Sequence, residues 1–466
     1  MGGDKVRFRF SYLGIWAPYC WMSWMNTNNV NLPHGFPWRM LYLGITVSMA
    51  IVTIAMLFAK GAVPRESGQM TKALDWLSAI IMALCAFVTA APAYLGASAG
   101  IAAVGTIAGG LAVGWMYLRW AVFLTRVETT TAAIALFGGS LIRPFIELFL
   151  CFMPPFINVA FGVAFPFASS FLLGDALGHM PQALPPVLHY ERNRFLKLWR
   201  VWVMLIAVSL SLSILVATEE PRYYGMTLQS NQMIIICTSA LTAVLYAGML
   251  FWAVKTDWAF GFNLLWSIIL VVVGFVLLFM IVAPDNVFMI HVLISSAQSI
   301  IMPILWLTVC DIARHTDMNP FAACGVGLVA YNLPTFLGVF VDSALLNVFD
   351  IDVLPAIVLF FLFIVLAVCP NSVDSSMRLI FDDLRGRSTL PSDFETIDQR
   401  CQALGMQYGL TEREIEVMRM ICKGRSRTFI ADSLFISENT VKAHVSHSYG
   451  KIGIHSRRDL QELLGI

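Results

Sequence analysis

Apolar runs of about twenty residues recur along most of this chain, and they constrain its fold more than any other feature. An α-helix of that length spans the hydrocarbon core of a bilayer. The runs lie at residues 8–26, 38–59, 73–95, 98–120, 131–152, 154–174, 199–217, 232–254, 259–282, 287–309, 321–346 and 351–369. Taken together, they predict twelve transmembrane helices.

The composition is that of a polytopic membrane protein. Hydrophobic residues make up 58% of the 466 residues and charged residues only 13%, and the mean hydropathy is +0.74. A soluble globular protein does not have such a composition. Charges are sparse before Pro370 and dense from Asn371 onward. We therefore predict a transmembrane domain at 1–370, a cytoplasmic linker at 371–407 and a second domain at 408–466.

Basic residues are distributed unevenly among the gaps between the apolar runs, and cytoplasmic loops carry an excess of Lys and Arg. One set of alternate gaps holds Lys60, Arg65, Lys72, Arg119, Arg126, Arg192, Arg194, Lys197, Arg200, Lys255 and Arg314. The other set holds Arg39 and Arg222 beside Glu219, Glu220, Asp285, Asp342, Asp350 and Asp352. Both termini are therefore predicted to be cytoplasmic. The longest cytoplasmic gap, about 175–199, divides the helices into six plus six.

The segment 408–466 has the pattern of four short helices. Thr411 and Glu414 form a capping box, which predicts the start of the first helix, and Gly424 ends it. Between them the apolar residues recur at helical spacing. They are Ile415, Met418, Ile421 and Cys422. A second helix is predicted at about 427–435, with a buried face of Ile430, Ala431 and Leu434.

The third helix is predicted to begin after the N-cap Ser437 and to have one apolar and one polar face. The apolar stripe consists of Val441, Val445, Tyr449 and Ile452. The opposite face carries Asn439, Ala443, Ser446 and His447, with Lys442, His444 and Lys451 on its flanks. A polar, basic helix face after a tight turn fits the major groove of DNA. A fourth helix, opened by Ser456 and Asp459, would expose Leu460, Leu463 and Leu464 unless a partner covers them.

The motifs LTEREIEVM, G-R-S, SENTVKAH and KIGIHSRRDL resemble the LuxR/NarL-type helix-turn-helix along its full length. The resemblance implies that the third helix reads promoter DNA and that the fourth pairs two heads into a homodimer. It assigns base contacts to Lys442, Ala443 and Ser446, and it assigns backbone contacts to Thr440, His444 and Lys451. Residues 427–429 depart from the polar run common in that family. A small helical bundle that binds protein instead of DNA is the alternative.

Six plus six helices with a long central cytoplasmic loop resemble the major facilitator architecture, in which two bundles enclose a cavity. The usual motif between the second and third spans of that family is absent from KGAVPRESGQMTK, so transport is not implied. The whole chain resembles actinobacterial membrane-embedded LuxR-type regulators. That resemblance implies a multi-pass protein of the bacterial inner membrane, with RNA polymerase as a further partner.

One charged pair stands out within the apolar runs, where ionisable residues are usually functional. Arg143 and Glu147 are four residues apart in the fifth run, and Pro144 between them is predicted to bend the helix beside a cavity. The pair either holds a polar ligand, couples the two bundles as a switchable ion pair, or is a static structural pair. Asn332, followed by Pro334, is a further candidate ligand contact.

The sequence contains no phosphate loop, nucleophile–base set or metal cluster, and its nine cysteines are scattered singly. We therefore expect no enzymatic activity, no cofactor and no metal. The sequence favours a membrane-anchored one-component transcription regulator that senses a small molecule. A transporter with a DNA-binding regulatory tail and a ligand-free anchor for DNA are the alternatives. A short helix at 393–406 is either the coupling element or part of a passive tether.

Overall fold

The computed structural model of the protein describes residues 8–28, 36–58, 68–90, 99–180, 199–224, 228–255, 262–314, 319–350, 353–368, 401–402, 404–405, 408–422, 427–434, 436–454, 456 and 460. The chain divides into two compact units, Met1–Gly386 and Arg387–Ile466. Helices are the regular elements in the described part of both units, which confirms the predicted all-α class.

The membrane unit begins with a 3₁₀-helix, Phe10–Ile15, that leads directly into the first α-helix. Its α-helices are α1 (Trp16–Asn28), α2 (Phe36–Phe58), α3 (Gln69–Ala90), α4 (Ala99–Thr125), α5 (Thr129–Cys151), α6 (Pro155–Gly178), α7 (Trp199–Tyr224), α8 (Leu228–Lys255), α9 (Phe262–Val282), α10 (Val287–Arg314), α11 (Pro320–Leu346) and α12 (Leu354–Val368). Each predicted apolar run therefore coincides with a helix. Within the described residues, nine helices are long and apolar enough to cross a membrane, so twelve spans stay a prediction.

The membrane unit consists of two six-helix halves with the same internal packing. In the first half α2 and α3 pack on α4, and α3 packs on α6; in the second half α8 and α9 pack on α10, and α9 packs on α12. The halves meet reciprocally, because α2 contacts α11 and α5 contacts α8. The second helix of each half thus packs on the fifth helix of the other. Such reciprocity is expected of a structural repeat related by a pseudo-two-fold axis.

Close helix contacts within the first half depend on glycine. A Cβ atom added at Gly44 of α2 would lie 2.7 Å from the carbonyl oxygen of Ile107 in α4, and one added at Gly110 would lie 2.6 Å from the carbonyl oxygen of Leu41. Both obstacles are backbone atoms, which cannot move aside as a side chain can. Small residues therefore allow these two helix backbones to approach as they do in many membrane bundles.

Several of the charged residues used to predict the orientation lie inside helices. Arg119 is in α4 and fully buried, Asp342 is buried in α11, and Arg314 is buried in the last turn of α10. Glu219, Glu220 and Arg222 fall in the last turns of α7. Because a helix can continue beyond the bilayer core, these positions do not decide which loops are cytoplasmic, and the orientation stays a prediction.

The second unit, here called the head, contains α13 (Glu412–Cys422), α14 (Arg427–Leu434) and α15 (Glu438–Ile452). Its core includes every apolar residue predicted for the three helices, with Val417, Cys401 and Leu404 in addition. Cys401 and Leu404 show that the packed core begins before residue 408. Gly424 and most of the predicted linker and lead-in helix lie outside the described residues.

Candidate functional site

The first turn of α13 is held by the predicted capping box. The N–H of Thr411 donates to Oε2 of Glu414 at 2.7 Å, and the N–H of Glu414 lies 3.3 Å from Oγ1 of Thr411. Each side chain thus pairs a backbone N–H that has no acceptor within the helix. The sequence prediction of where this helix begins is confirmed.

The polar face of α15 is exposed, as a groove-binding helix requires. Ser437 caps the helix by accepting the N–H of Thr440 at 3.1 Å, and Gly453 ends it with a φ of 82°. Val441 and Ile452 are buried in the head, and Val445 and Tyr449 pack beside them. The exposed residues are Asn439, Thr440, Lys442, Ala443, Ser446, His447 and Lys451, and His444 is partly buried. The predicted apolar and polar faces are therefore both present.

Lys451 is the one predicted DNA contact whose charged group is engaged elsewhere in the described head. Its Nζ lies 2.8 Å from Oε2 of Glu414 and 3.3 Å from the carbonyl oxygen of Gly409. Burial opposes ionisation of Glu414, but hydrogen bonds from Lys451 and from Thr411 outweigh it and lower the pKa of Glu414 to about 2. The structure thus gives Lys451 a role in the fold, and its predicted contact with DNA stays a prediction.

The predicted pairing edge of the head is only partly accessible. Leu460 is 0% exposed and belongs to the core of the head, and its N–H donates to the carbonyl oxygen of Ser456 at 3.2 Å. The prediction that Leu460 forms an exposed edge is therefore wrong, because this small domain uses the side chain to complete its own core. Leu463 and Leu464 lie outside the described residues.

A second candidate site is a cavity of about 370 Å³ in the membrane unit, lined by α1, α5, α6, α8 and α10. Arg143 and Glu147 lie on its wall, and Nε of Arg143 donates to Oε1 of Glu147 at 2.7 Å. Ser23 Oγ donates to the same oxygen at 2.6 Å. The two charged side chains are 23% and 21% exposed, so the pair faces the cavity as predicted from the sequence. Its role in ligand binding stays a prediction.

Polar groups that the sequence analysis did not single out share this cavity. Ser239 of α8 is 3% exposed, and its Oγ has no hydrogen-bond partner among the described residues. Gln232, His291 and Ser295 also line the wall. These residues were missed because each is a single polar residue at the end or in the middle of an apolar run. Only the packing of α8 and α10 on α5 brings them beside the ion pair.

Asn332 does not line this cavity. Its amide donates to the carbonyl oxygen of Leu328, one turn earlier in α11, at 2.7 Å, and it lies 3.6 Å from Sδ of Met49 in α2. The structure therefore does not bring Asn332 together with Arg143 and Glu147. Its amide N–H is satisfied by its own helix.

A deeper ion pair was missed by the sequence analysis. Arg119 of α4 donates from Nε and Nη2 to the two carboxylate oxygens of Asp75 in α3, at 2.8 and 2.9 Å. Nε1 of Trp115 donates to the same carboxylate at 2.9 Å, and Ser170 of α6 donates to the carbonyl oxygen of Asp75. The partners are 44 residues apart in sequence, so no local spacing indicates them.

The two halves are joined by polar contacts at the end of α5 that lies away from the cavity. Thr129 Oγ1 donates to Oδ1 of Asp311 at 2.9 Å, and Nη1 of Arg314 donates to Thr129 Oγ1 at 3.0 Å. Thr129 and Glu147 are about 27 Å apart along α5 at about 1.5 Å per residue. We call the Thr129–Asp311–Arg314 contact the inter-half joint. Cavity and joint therefore occupy opposite ends of the same two helices, α5 and α10.

Among solved structures, the chain has a low structural similarity to a transporter. The chain has a TM-score of 0.48 and 11% identity to the human organic anion transporter TETRAN, over 76% of this chain and 96% of that one. A similarity this low does not allow any property of the transporter to be assigned to this chain.

Comparison with known sequences concerns the head. The chain is 47% identical over 47 residues to the Fimbriae Z protein of Escherichia coli, covering 10% of this chain and 22% of that protein. It is 50% identical over 48 residues to the nitrate/nitrite response regulator protein homolog of Haemophilus influenzae, covering 10% and 23%. The chain thus spans less than a quarter of each relative. Residues 409–464 match the bacterial regulatory proteins of the luxR family, and this part of the chain is a LuxR-type helix-turn-helix domain.

Proposed function

We propose that the protein is a membrane-anchored, non-enzymatic, one-component transcription regulator. In this proposal the membrane unit senses a small molecule and the head binds double-stranded promoter DNA. The observation that carries the proposal is the presence, in one chain, of a LuxR-type head and a membrane unit with a polar, charged cavity.

The exposed face of α15 supports the proposed DNA contact. Lys442, Ala443 and Ser446 are exposed on that face and would meet base edges when the helix enters the major groove. Thr440 and His444 would approach the phosphate backbone at the rim of the groove. Lys451 would act mainly by fixing α15 to α13 through Glu414.

We further propose that all twelve helices span the inner membrane of a bacterial cell, in a six-plus-six arrangement like that of the major facilitators. Both termini would then be cytoplasmic, and the head would face the nucleoid. The reciprocal packing of α2 on α11 and of α5 on α8 supports this arrangement. Two heads would pair as a homodimer on adjacent half-sites and recruit RNA polymerase.

The cavity and the inter-half joint share two helices, which suggests how a signal is transmitted. A ligand that binds one arrangement of the two halves better than another shifts their equilibrium by its differential affinity. The cavity contacts α5 and α10 at one end, and the joint of Thr129, Asp311 and Arg314 links the same helices at the other. Filling the cavity would therefore bias the joint.

The test maps the DNA sites of the full chain in cells by crosslinking and sequencing. The proposal predicts discrete occupied sites that disappear with Lys442→Ala, while the membrane level of the protein is unchanged. Uptake by vesicles that contain the full chain then separates a sensor from a transporter. Discrete DNA sites without uptake support the proposal; uptake of the compound that changes DNA occupancy favours a transporter with a regulatory tail. Absence of discrete sites contradicts both.

A further inference from the structure

The cavity of the membrane unit contains one positive and one negative side chain whose hydrogen-bonding capacity is only partly used. Oε1 of Glu147 accepts from Arg143 and from Ser23. Among the described residues no donor reaches the second oxygen, Oε2. A guanidinium has five N–H donors, and Arg143 uses Nε for Glu147. The pair therefore presents both an acceptor and several donors to a molecule in the cavity.

The net charge of the pair limits which ligands bind. Arg143 and Glu147 neutralise each other, and an uncompensated charge within a membrane-spanning bundle is costly. A ligand with only a carboxylate would leave the filled cavity with one excess negative charge, and a ligand with only an ammonium group would leave one excess positive charge. A zwitterion leaves the cavity neutral. It also provides an acceptor for the guanidinium and a donor for the carboxylate.

The rest of the wall fits the remaining parts of such a ligand. The hydroxyl of Ser239 is buried without a partner in the described structure, and burying an unpaired polar group is unfavourable. Apolar residues also line the cavity, among them Ile146, Ile234 and Ile235. A volume of about 370 Å³ lies within the range of small-molecule sites. The cavity therefore combines a charged pair, a buried hydroxyl and an apolar wall.

We infer that this cavity binds a small zwitterion of the α-amino-acid type. Its carboxylate would accept from the N–H groups of Arg143 that do not face Glu147, and its ammonium group would donate to Oε2 of Glu147. The hydroxyl of Ser239 would bond to one of these groups, and an apolar side chain would lie against the isoleucines. The inference rests on the proposed function only in identifying this cavity as the signal site.

The test measures the thermal unfolding of the purified full chain in lipid nanodiscs. Each of the twenty proteinogenic amino acids is compared with its C-terminal amide, which lacks the α-carboxylate, and with its Nα-acetyl derivative, which lacks the α-ammonium group. We expect at least one amino acid to raise Tm by about 5 °C at a hundredfold excess over its Kd, and both derivatives to lose the effect. The inference is overturned if no amino acid raises Tm, or if a singly charged derivative is as effective.

Variants test whether the zwitterion binds in this cavity. Arg143→Leu combined with Glu147→Met removes both charges and should abolish the Tm shift. Ser239→Ala should weaken binding about tenfold, since it removes one hydrogen bond. Ser209→Ala is the matched control, because Ser209 is equally buried but lies in α7 and donates to the carbonyl oxygen of Leu205 at 2.7 Å. Equal loss of affinity in Ser239→Ala and Ser209→Ala would overturn the assignment to this cavity.

The Tm shift of the purified chain and the DNA occupancy in cells together distinguish this inference from the proposed function. A zwitterion that raises Tm but leaves the DNA occupancy of the full chain unchanged in cells supports the binding site and contradicts the sensor. If DNA occupancy depends on Arg143 and Glu147 while no amino acid raises Tm, the sensor is supported and the ligand class is wrong.

Discussion

Nζ of Lys451, in the last turn of α15, lies 2.8 Å from Oε2 of Glu414, in the first turn of α13. The same carboxylate oxygen accepts the N–H of Thr411 in the capping box. One buried side chain therefore sets the start of the first helix of the head and fixes the end of the helix proposed to read DNA. Any loss of charge at Glu414 acts on both helices at once.

The first prediction follows from the lowered pKa of Glu414. Because its pKa falls from 4.5 to about 2 in the folded head, the ionised carboxylate stabilises the fold fully above pH 4.5. That stability is lost as the pH falls from 4.5 to about 2. Glu414→Gln should therefore lower the free energy of unfolding by about 1–2 kcal/mol at pH 7 and have little effect near pH 2. Urea unfolding of residues 387–466 between pH 2 and pH 7 measures the free energy of unfolding of the parent and of the variant.

The matched control is Glu416→Gln. Glu416 pairs with Arg413 at 2.7 Å, but both side chains are exposed to solvent. Exposed ion pairs contribute little, so this variant should change the free energy of unfolding by less than about 0.5 kcal/mol at every pH. Equal effects of Glu414→Gln and Glu416→Gln would contradict the structural role of the buried carboxylate.

The second prediction concerns Lys442, which is exposed on α15. Lys442→Ala should weaken DNA binding by about 1–3 kcal/mol at one base position if it reads a base. If it contacts a phosphate, the loss is uniform across sequences and the salt dependence becomes shallower. Gel-shift titrations at several salt concentrations separate the two outcomes. An unchanged affinity for Lys442→Ala would exclude Lys442 from the interface.

The third prediction separates two leucines at the end of the head. Leu460→Asp should unfold the head, because it places a charge in the core at a residue that is fully buried. Leu463→Asp should leave the head folded and abolish cooperative binding to paired half-sites. Circular dichroism measures the first effect and two-site DNA titrations the second. Normal cooperativity of Leu463→Asp would place the pairing surface elsewhere.

The helices of this chain could be predicted from its sequence because a helix is signalled by residues close together in the chain. The capping box of Thr411 and Glu414 and the N-cap Ser437 depend on residues three apart, and both are present in the structure. Arg143 and Glu147 are one helical turn apart, so their pairing could also be predicted.

Contacts between distant segments could not be predicted. The pair of Asp75 and Arg119 requires α3 to pack on α4, and the burial of Leu460 depends on the packed core of the head. Hydropathy treats each charge as an isolated cost, so it puts Arg119 at the end of the run 98–120 and gives no sign of its partner. In the structure a bidentate carboxylate compensates that charge inside the bundle.

The fourth prediction follows from the burial of Asp75 and Arg119. Asp75→Asn leaves the fully buried Arg119 without its counter-charge, and removing one partner of a buried pair costs about 3–5 kcal/mol. Glu147→Gln leaves Arg143 partly exposed at the wall of a cavity and not fully buried as Arg119 is, so its cost should be smaller. Thermal unfolding in nanodiscs should therefore show a larger loss of Tm for Asp75→Asn. The reverse order would mean that the pair at the cavity is the main structural one.

The last prediction tests whether the pair of Arg143 and Glu147 responds to the signal. Replacing Arg143 by Leu and Glu147 by Met in one variant leaves no lone charge in the membrane, where one costs roughly 2.5 kcal/mol or more. We therefore expect normal insertion and folding, with a greater loss of stability when Glu147 alone is replaced and Arg143 is stranded. A reporter gene fused to a promoter that the full chain occupies should no longer respond to the inducer in the double variant. Because the head is unchanged, its affinity for that promoter in a gel shift should equal that of the parent. A double variant that inserts normally and keeps an unchanged dose response would make the pair purely structural.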